Sequence, residues 1–212
     1  MPSKYKSQDA LGTYHIAQHP ELYTPARSNV FIFMPIFKKD LLKAGVLESA
    51  ATSADYIPAS QAQEVLRLSV SSSAVPNFTQ NVVEVKRGNT TVKFAGAWTF
   101  PEGTIKFNDY VGADTKSALY AWQRMSGDVI TETVGRAEDY KVKGVLIEYT
   151  PDFRQVRYWD LFGCWINAVS EDDFSSDNDG KREVSATIQY DRAVPHLPDD
   201  LEQVDWVSDS NA

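Results

Sequence analysis

Apolar and polar positions along this chain alternate mostly with a period of two, which predicts a succession of β-strands. Residues 30–37 (VFIFMPIF) are apolar on both faces, and Pro35 removes one ladder donor, so this strand belongs at a sheet edge or a bulge. Residues 65–71 alternate as a strand, with Leu66, Leu68 and Val70 on one side and Arg67 and Ser69 on the other. Residues 75–80 contain Pro76 and Asn77 and read as a turn. Residues 82–86 and 90–97 read as a hairpin, because Gly88 and Asn89 tolerate the positive φ of a tight connection. Residues 103–107 add a strand with Ile105 and Phe107 on one side. A longer hairpin joins 140–149 to 156–169 around Thr150-Pro151-Asp152. Residues 183–190 are the last strand, with Val184, Ala186, Ile188 and Tyr190 sharing a face.

One segment departs from period two. After a cap at Asp114 or Thr115, the positions Ala118, Leu119, Ala121, Trp122 and Met125 form a single helical stripe, and Gly127 follows in the usual stop position. This stripe is a packing face. Residues 38–64 break the strand pattern, with Leu41, Leu42, Val46 and Leu47 predicting a short helical turn inside 40–49. A segment this long between strands is uncommon in a compact domain and is usually functional or mobile. Seven or eight strands, one helix between two strand groups and no βαβ alternation give a mainly β class. The expected architecture is an antiparallel β-sandwich or barrel with one flanking α-helix.

The chain has 212 residues, enough for one domain with a real core. The expected organisation is an arm over 1–29, a β domain over 30–193 carrying the inserted segment at about 38–63, and a tail over 194–212. The tail is acidic, with Asp199, Asp200, Glu202, Asp205 and Asp209 and no base. Overall, 29 acids against 21 bases give a net charge of −8, which disfavours gripping nucleic acid. The polar first ten residues and the shortness of 30–37 give no secretory or membrane-spanning signal, and the sequons at Asn77 and Asn89 read as chance matches. The single cysteine, Cys164, lies in an apolar run and reads as a buried free thiol in a reducing compartment.

Candidate chemistry is sparse. His15 and His19 have the i, i+4 spacing of a helical zinc site, but no glutamate follows His15 and Pro20 follows His19 at once. Residues 175–180 (SSDNDG) are shaped like a calcium loop, yet position 1 is Ser175 and position 12 is Ala186, where a bidentate Glu is required. Glu171, Asp172 and Asp173 read as part of a solvated acidic loop. No phosphate-binding glycine loop, serine elbow or cysteine-rich metal pattern occurs. The expectation is a non-enzyme with no catalytic, cofactor-binding or metal residues.

The stretch 139–192 (DYKVKGVLIEY, a turn, then VRYWDLFGCWINAVSEDDFSSDNDGKREVSATIQYDR) resembles the C-terminal half of the tail tube proteins of contractile-tailed bacteriophages. The aromatic-Gly-x-Trp element of that family is matched by Phe162, Gly163 and Trp165. Its final strand, ending in Tyr-Asp-Arg, is matched by Tyr190, Asp191 and Arg192. Ile166 stands where the family often has proline. The order of upstream elements fits as well. The resemblance implies a structural virion subunit that forms six-membered rings, stacks them into the tail tube and serves as the conduit for genome ejection. It implies residence in the virion tail after assembly in the host cytoplasm, with tail sheath, baseplate, tape-measure and tail terminator proteins as partners. Phage DNA would pass the lumen without specific binding, which the acidic balance suits. In the family the long segment after the first strand reaches an adjacent ring, the place that 38–63 takes here. Candidate lumen faces are Arg67/Ser69, Lys141/Lys143 and Ser185/Thr187/Gln189. Two other readings stand beside this one. One is a baseplate tube-initiator or tail-completion protein. The other is a carbohydrate-binding β-sandwich module or hydrolase with Tyr56 or Trp98 as its platform.

Overall fold

The computed structural model describes residues 28–112, 114–151, 153–173 and 180–196. In chain order the elements are β1 (Phe31–Ile36), β2 (Leu41–Leu42), β3 (Tyr56–Ile57), α1 (Ala59–Ser69), β4 (Val70–Ser73), β5 (Thr79–Arg87), β6 (Thr90–Thr99) and β7 (Gly103–Asn108). Then come α2 (Thr115–Arg124), β8 (Gly127–Asp128), β9 (Thr133–Val134), the one-turn α3 (Ala137–Tyr140), β10 (Val142–Tyr149), β11 (Gln155–Glu171), β12 (Glu183–Gln189) and β13 (Arg192–His196). A seven-stranded antiparallel sheet forms the body, in the order β1-β10-β11-β12-β7-β4, with β13 also on β11.

The 17-residue β11 bends this sheet into two layers. Its first half pairs with β10 and β13, and its second half pairs with β12. Gly163, at φ +68, sits at the changeover between Phe162↔Arg192 and Trp165↔Gln189. Between the layers lies the core: Phe33, Phe37, Leu66, Phe107, Leu119, Trp122, Leu146, Cys164, Ile166, Val184 and Ile188 are all buried. A smaller cluster of Val145, Ile147 and Tyr158 fills the opposite face of β10.

The long hairpin, the strand at 103–107, the strand at 183–190 and the α2 stripe lie where the apolar pattern puts them. Asp114 caps α2 by accepting from the Ser117 amide at 3.2 Å, and Ala118, Leu119, Ala121 and Trp122 are buried. Pro35 is on an edge, since β1 pairs with β10 alone among the described residues.

Four expectations are corrected. Residues 65–69 belong to α1 and only Val70 onward is strand. The buried face of α1 is Ala62, Leu66 and Ser69, while Leu68 is 61% exposed, so its alternation with Leu66 carried no packing. Among the described residues the body therefore carries α1 and α2 as packed helices, not one helix. In 40–49, Leu41 and Leu42 pair with Ile57 and Tyr56 instead of turning helically, and a 3-10 turn follows at Glu48–Ala50. Finally, 192–196 form β13, so the last strand of the body overlaps the start of the predicted tail.

The inserted segment is also more deeply built in than its composition suggests. Leu41 and Ala62 are fully buried, and Ile57 nearly so. The Asp40 carboxylate accepts from the Ala59 amide at 2.9 Å, satisfying an otherwise orphan donor in the first turn of α1. His15 and His19, Asp152, most of the acidic loop (174–179) and 197–212 fall outside the described residues.

Candidate assembly surface

Two features of the resemblance motif, 28 residues apart in sequence, meet at one point. The Asp191 amide donates to the Phe162 carbonyl at 2.9 Å, and the Asp191 carboxylate accepts from Lys141 Nζ at 2.7 and 2.8 Å. That carboxylate fills the space where a side chain on residue 163 would go: a Cβ there would lie 2.3 Å from Asp191 Oδ2. Gly163 is thus needed both for its left-handed φ and for close approach. Trp165 packs edge-on against Tyr140 at 5.8 Å, and buried Tyr190 meets Phe100 at 6.4 Å. These residues build the bend of the sheet and are structural.

Of the faces predicted to be polar and lumenal, Arg67/Ser69 is corrected: both lie on α1, and Ser69 is buried with its hydroxyl 2.8 Å from Thr115 Oγ1. Lys141 precedes β10 and is held by Asp191, while Lys143 sits 3.0 Å from Asp160. Ser185, Thr187 and Gln189 lie half-buried on one face of β12.

A second ionic knot fastens α2 to the end of β11. Glu171 accepts from Lys116 Nζ at 2.6 Å, Tyr120 Oη at 2.7 Å and Arg182 at 2.7 Å. The Lys116 and Tyr120 hydrogen bonds hold its carboxyl below the ordinary range. Burial pushes the Cys164 thiol up to about 12, so no thiolate nucleophile forms there near neutral pH. Tyr56 is half-buried in β3. Trp98 is exposed but carries the ring of Phe78 against it at 4.9 Å.

The most exposed apolar surface of the body is the β5–β6 hairpin. Every residue of β5 is exposed, and every residue of β6 except Gly96. Among the described residues the two strands pair only with each other. Gly88, at φ +59, makes the turn. The register places Val83 opposite Phe94 and Val85 opposite Val92, giving an apolar cross-strand patch on one face. The other face carries Glu84 opposite Lys93, 3.4 Å apart, and Lys86 opposite Thr91. An isolated two-stranded ribbon is marginal in water, and an apolar face without cover destabilises it further. The body offers matching open edges: among the described residues β1 and β4 each have a single neighbour. An apolar trough of about 670 Å³ lies between them, lined by Phe31, Val75, Leu146 and Trp159 with Ser71–Ser73 along one wall. The sequence pattern gives the hairpin but not its isolation, because an alternating strand looks the same whether its apolar face meets its own core or another chain.

No protein-family model and no curated protein sequence matches this chain. Solved structures do. One similar chain is in the sheath–tube complex of an extracellular contractile injection system (PVC) in its extended state, with TM-score 0.56 and 13% identity over 87% of this chain and 97% of that one. Another is in the anti-feeding prophage cap, a tube-terminating cap, with TM-score 0.56 and 12% identity over 82% of this chain and 91% of that one. A third is in the anti-feeding prophage baseplate, with TM-score 0.54 and 10% identity over 82% and 96%. The fold is the mainly antiparallel β fold of tail-tube-like proteins.

Proposed function

We propose that this chain is a structural tube subunit of a contractile, phage-tail-like machine, polymerising as stacked six-membered rings around a lumen through which the genome is ejected. The observation that carries this reading is the exposed hairpin with its uncovered Val83, Val85, Val92 and Phe94. Covering these four side chains, each 39 to 55% exposed, contributes about 1 kcal/mol apiece. Strand addition of the hairpin to an open sheet edge of a neighbour also satisfies the edge and closes a ring without free strands. The fold shared with chains of tube, cap and baseplate assemblies supports a structural, non-enzymatic role, with sheath, baseplate, tape-measure and terminator proteins as partners. The overall charge of −8 suits a conduit that DNA passes without sticking.

Between its buried anchors Leu41 and Ile57, segment 38–63 exposes Leu47 and its neighbours, and this stretch is the proposed ring-to-ring contact. A second reading, a cap or baseplate ring that does not propagate, is favoured by the similarity to the cap and baseplate chains. Sedimentation of wild type and Phe94→Glu separates these from a monomeric module. Placing a charge in the covered patch costs about 2 kcal/mol or more, at least ~30-fold in assembly affinity. Wild type is expected to sediment as large oligomers and Phe94→Glu as folded monomer. Equal assembly by both proteins rules out the hairpin as the interface; a wild type that halts at one ring favours the second reading.

A further inference from the structure

We infer that a one-residue bulge at Gly96 and four aromatic rings at the hairpin base act as an angular stop. They fix the direction in which the hairpin leaves the body before any neighbour binds. This deepens the assembly reading given above and rests on it for its consequence, though not for its first test.

The geometry follows from strand alternation. Phe94 and Trp98 are four residues apart on β6, so an unbroken strand would put both on one face. Between them the register slips: Val82 pairs with Ala95, but Gln80 pairs with Trp98, so β6 spends one extra residue. The slip places Phe94 on the apolar face with Val83 and turns Trp98 to the opposite face, onto Phe78. Gly96 lies in the extra stretch, and a Cβ there would be 2.8 Å from the Asn81 carbonyl oxygen. Gln80 Nε2 donates across the bulge to the Gly96 carbonyl at 3.1 Å.

From Trp98 the contacts run inward without a gap. Phe78 meets Trp98 at 4.9 Å and Phe100 at 6.2 Å, and Phe100 meets buried Tyr190 at 6.4 Å. Tyr190 is next to Asp191, which is fixed at the Gly163 bend. The hairpin is therefore braced on the sheet beside the Gly163 bend, through rings at the base of both of its strands. Phe78 and Trp98 remain 49 and 57% exposed, so they contribute little to the core, and orientation is the role left to them. In a head-to-tail assembly one fixed rotation per subunit decides whether a ring closes, so a loosened brace yields open or uneven oligomers.

The first test uses the chain diluted below its assembly concentration, spin-labelled at Asn89→Cys on the hairpin turn and Arg136→Cys on the body, both exposed; buried Cys164 takes no label. Pulsed electron resonance is expected to give one narrow distance distribution for the otherwise native chain. The distribution is expected to be broader in Phe78→Ala and in Gly96→Ala, with Phe78→Tyr restoring the narrow one and thermal unfolding changing little in Phe78→Ala. A native chain that is already broad, or an equally narrow Phe78→Ala, overturns the inference. The second test is native mass spectrometry of the unlabelled proteins. Phe78→Ala is expected to raise the assembly concentration about five- to tenfold, the scale of one lost aromatic contact, and to spread the ring counts. Unchanged ring count and assembly concentration in Phe78→Ala overturn it equally. A narrow monomer distribution in a protein that never assembles leaves the brace standing and removes the proposed function instead.

Discussion

Gly163→Ala probes the bend on which the whole sheet depends. Residue 163 has φ +68, and adopting it costs an L-alanine about 1–2 kcal/mol. The new Cβ would sit 2.3 Å from Asp191 Oδ2 and 2.8 Å from its Cγ, so the Asp191 side chain must rotate away. Rotation breaks its two hydrogen bonds from Lys141. The two side chains are 30 and 58% exposed, so that loss adds no more than about 1 kcal/mol. The sum is about 1–3 kcal/mol, or roughly 2–12 °C in Tm for a chain of this size. Urea unfolding of dispersed protein reads it as a lower midpoint at unchanged slope. In Gly163→Ala/Asp191→Ala the clash is gone, so the double variant is expected to recover about 1 kcal/mol relative to additivity. A loss below about 0.5 kcal/mol for Gly163→Ala, or strict additivity with Asp191→Ala, would refute the close-approach reasoning.

Leu41→Ala is expected to cost about 2–5 kcal/mol in the same assay, because Leu41 is fully buried; deletion of 38–63 is expected to abolish folding rather than merely weaken ring stacking. The Glu171 carboxyl is held below its ordinary value of 4.5 by Lys116 and Tyr120, and by Arg182. Its stabilisation is therefore present above about pH 4.5 and lost as pH falls through the lower folded-state value. Chemical denaturation across that window is expected to show a shallower acid slope in Glu171→Gln than in wild type; equal slopes would remove this group from the acid transition.

Much of the fold is legible in the chain because its burial is carried by large apolar residues at a clear period. Val184, Ala186 and Ile188 on β12, and the α2 stripe ending in Trp122, are of this kind. Helix α1 hides because two of the three residues on its buried face are small or polar. Ala62 and Ser69 fill that face, and Ser69 bonds the Val65 carbonyl and Thr115, while exposed Leu68 mimics a strand. Strand β13 hides because Ala193 is its only fully buried residue and Pro195 suggests a break. The Phe162-Gly163 and Tyr190-Asp191-Arg192 motifs are visible as text, but only the fold shows that they are two sides of one bend. The bulge at Gly96 escapes for the same reason: register is a property of two strands, and a single strand's alternation does not contain it.

Electron microscopy of the purified full chain across a concentration series tests tube formation most directly. The expected images are rings of six copies that stack into tubes with a continuous lumen as concentration rises, and dispersed particles for Phe94→Glu under the same conditions. A wild type that stays a monodisperse monomer at every concentration would contradict the proposal that this chain is a tube subunit.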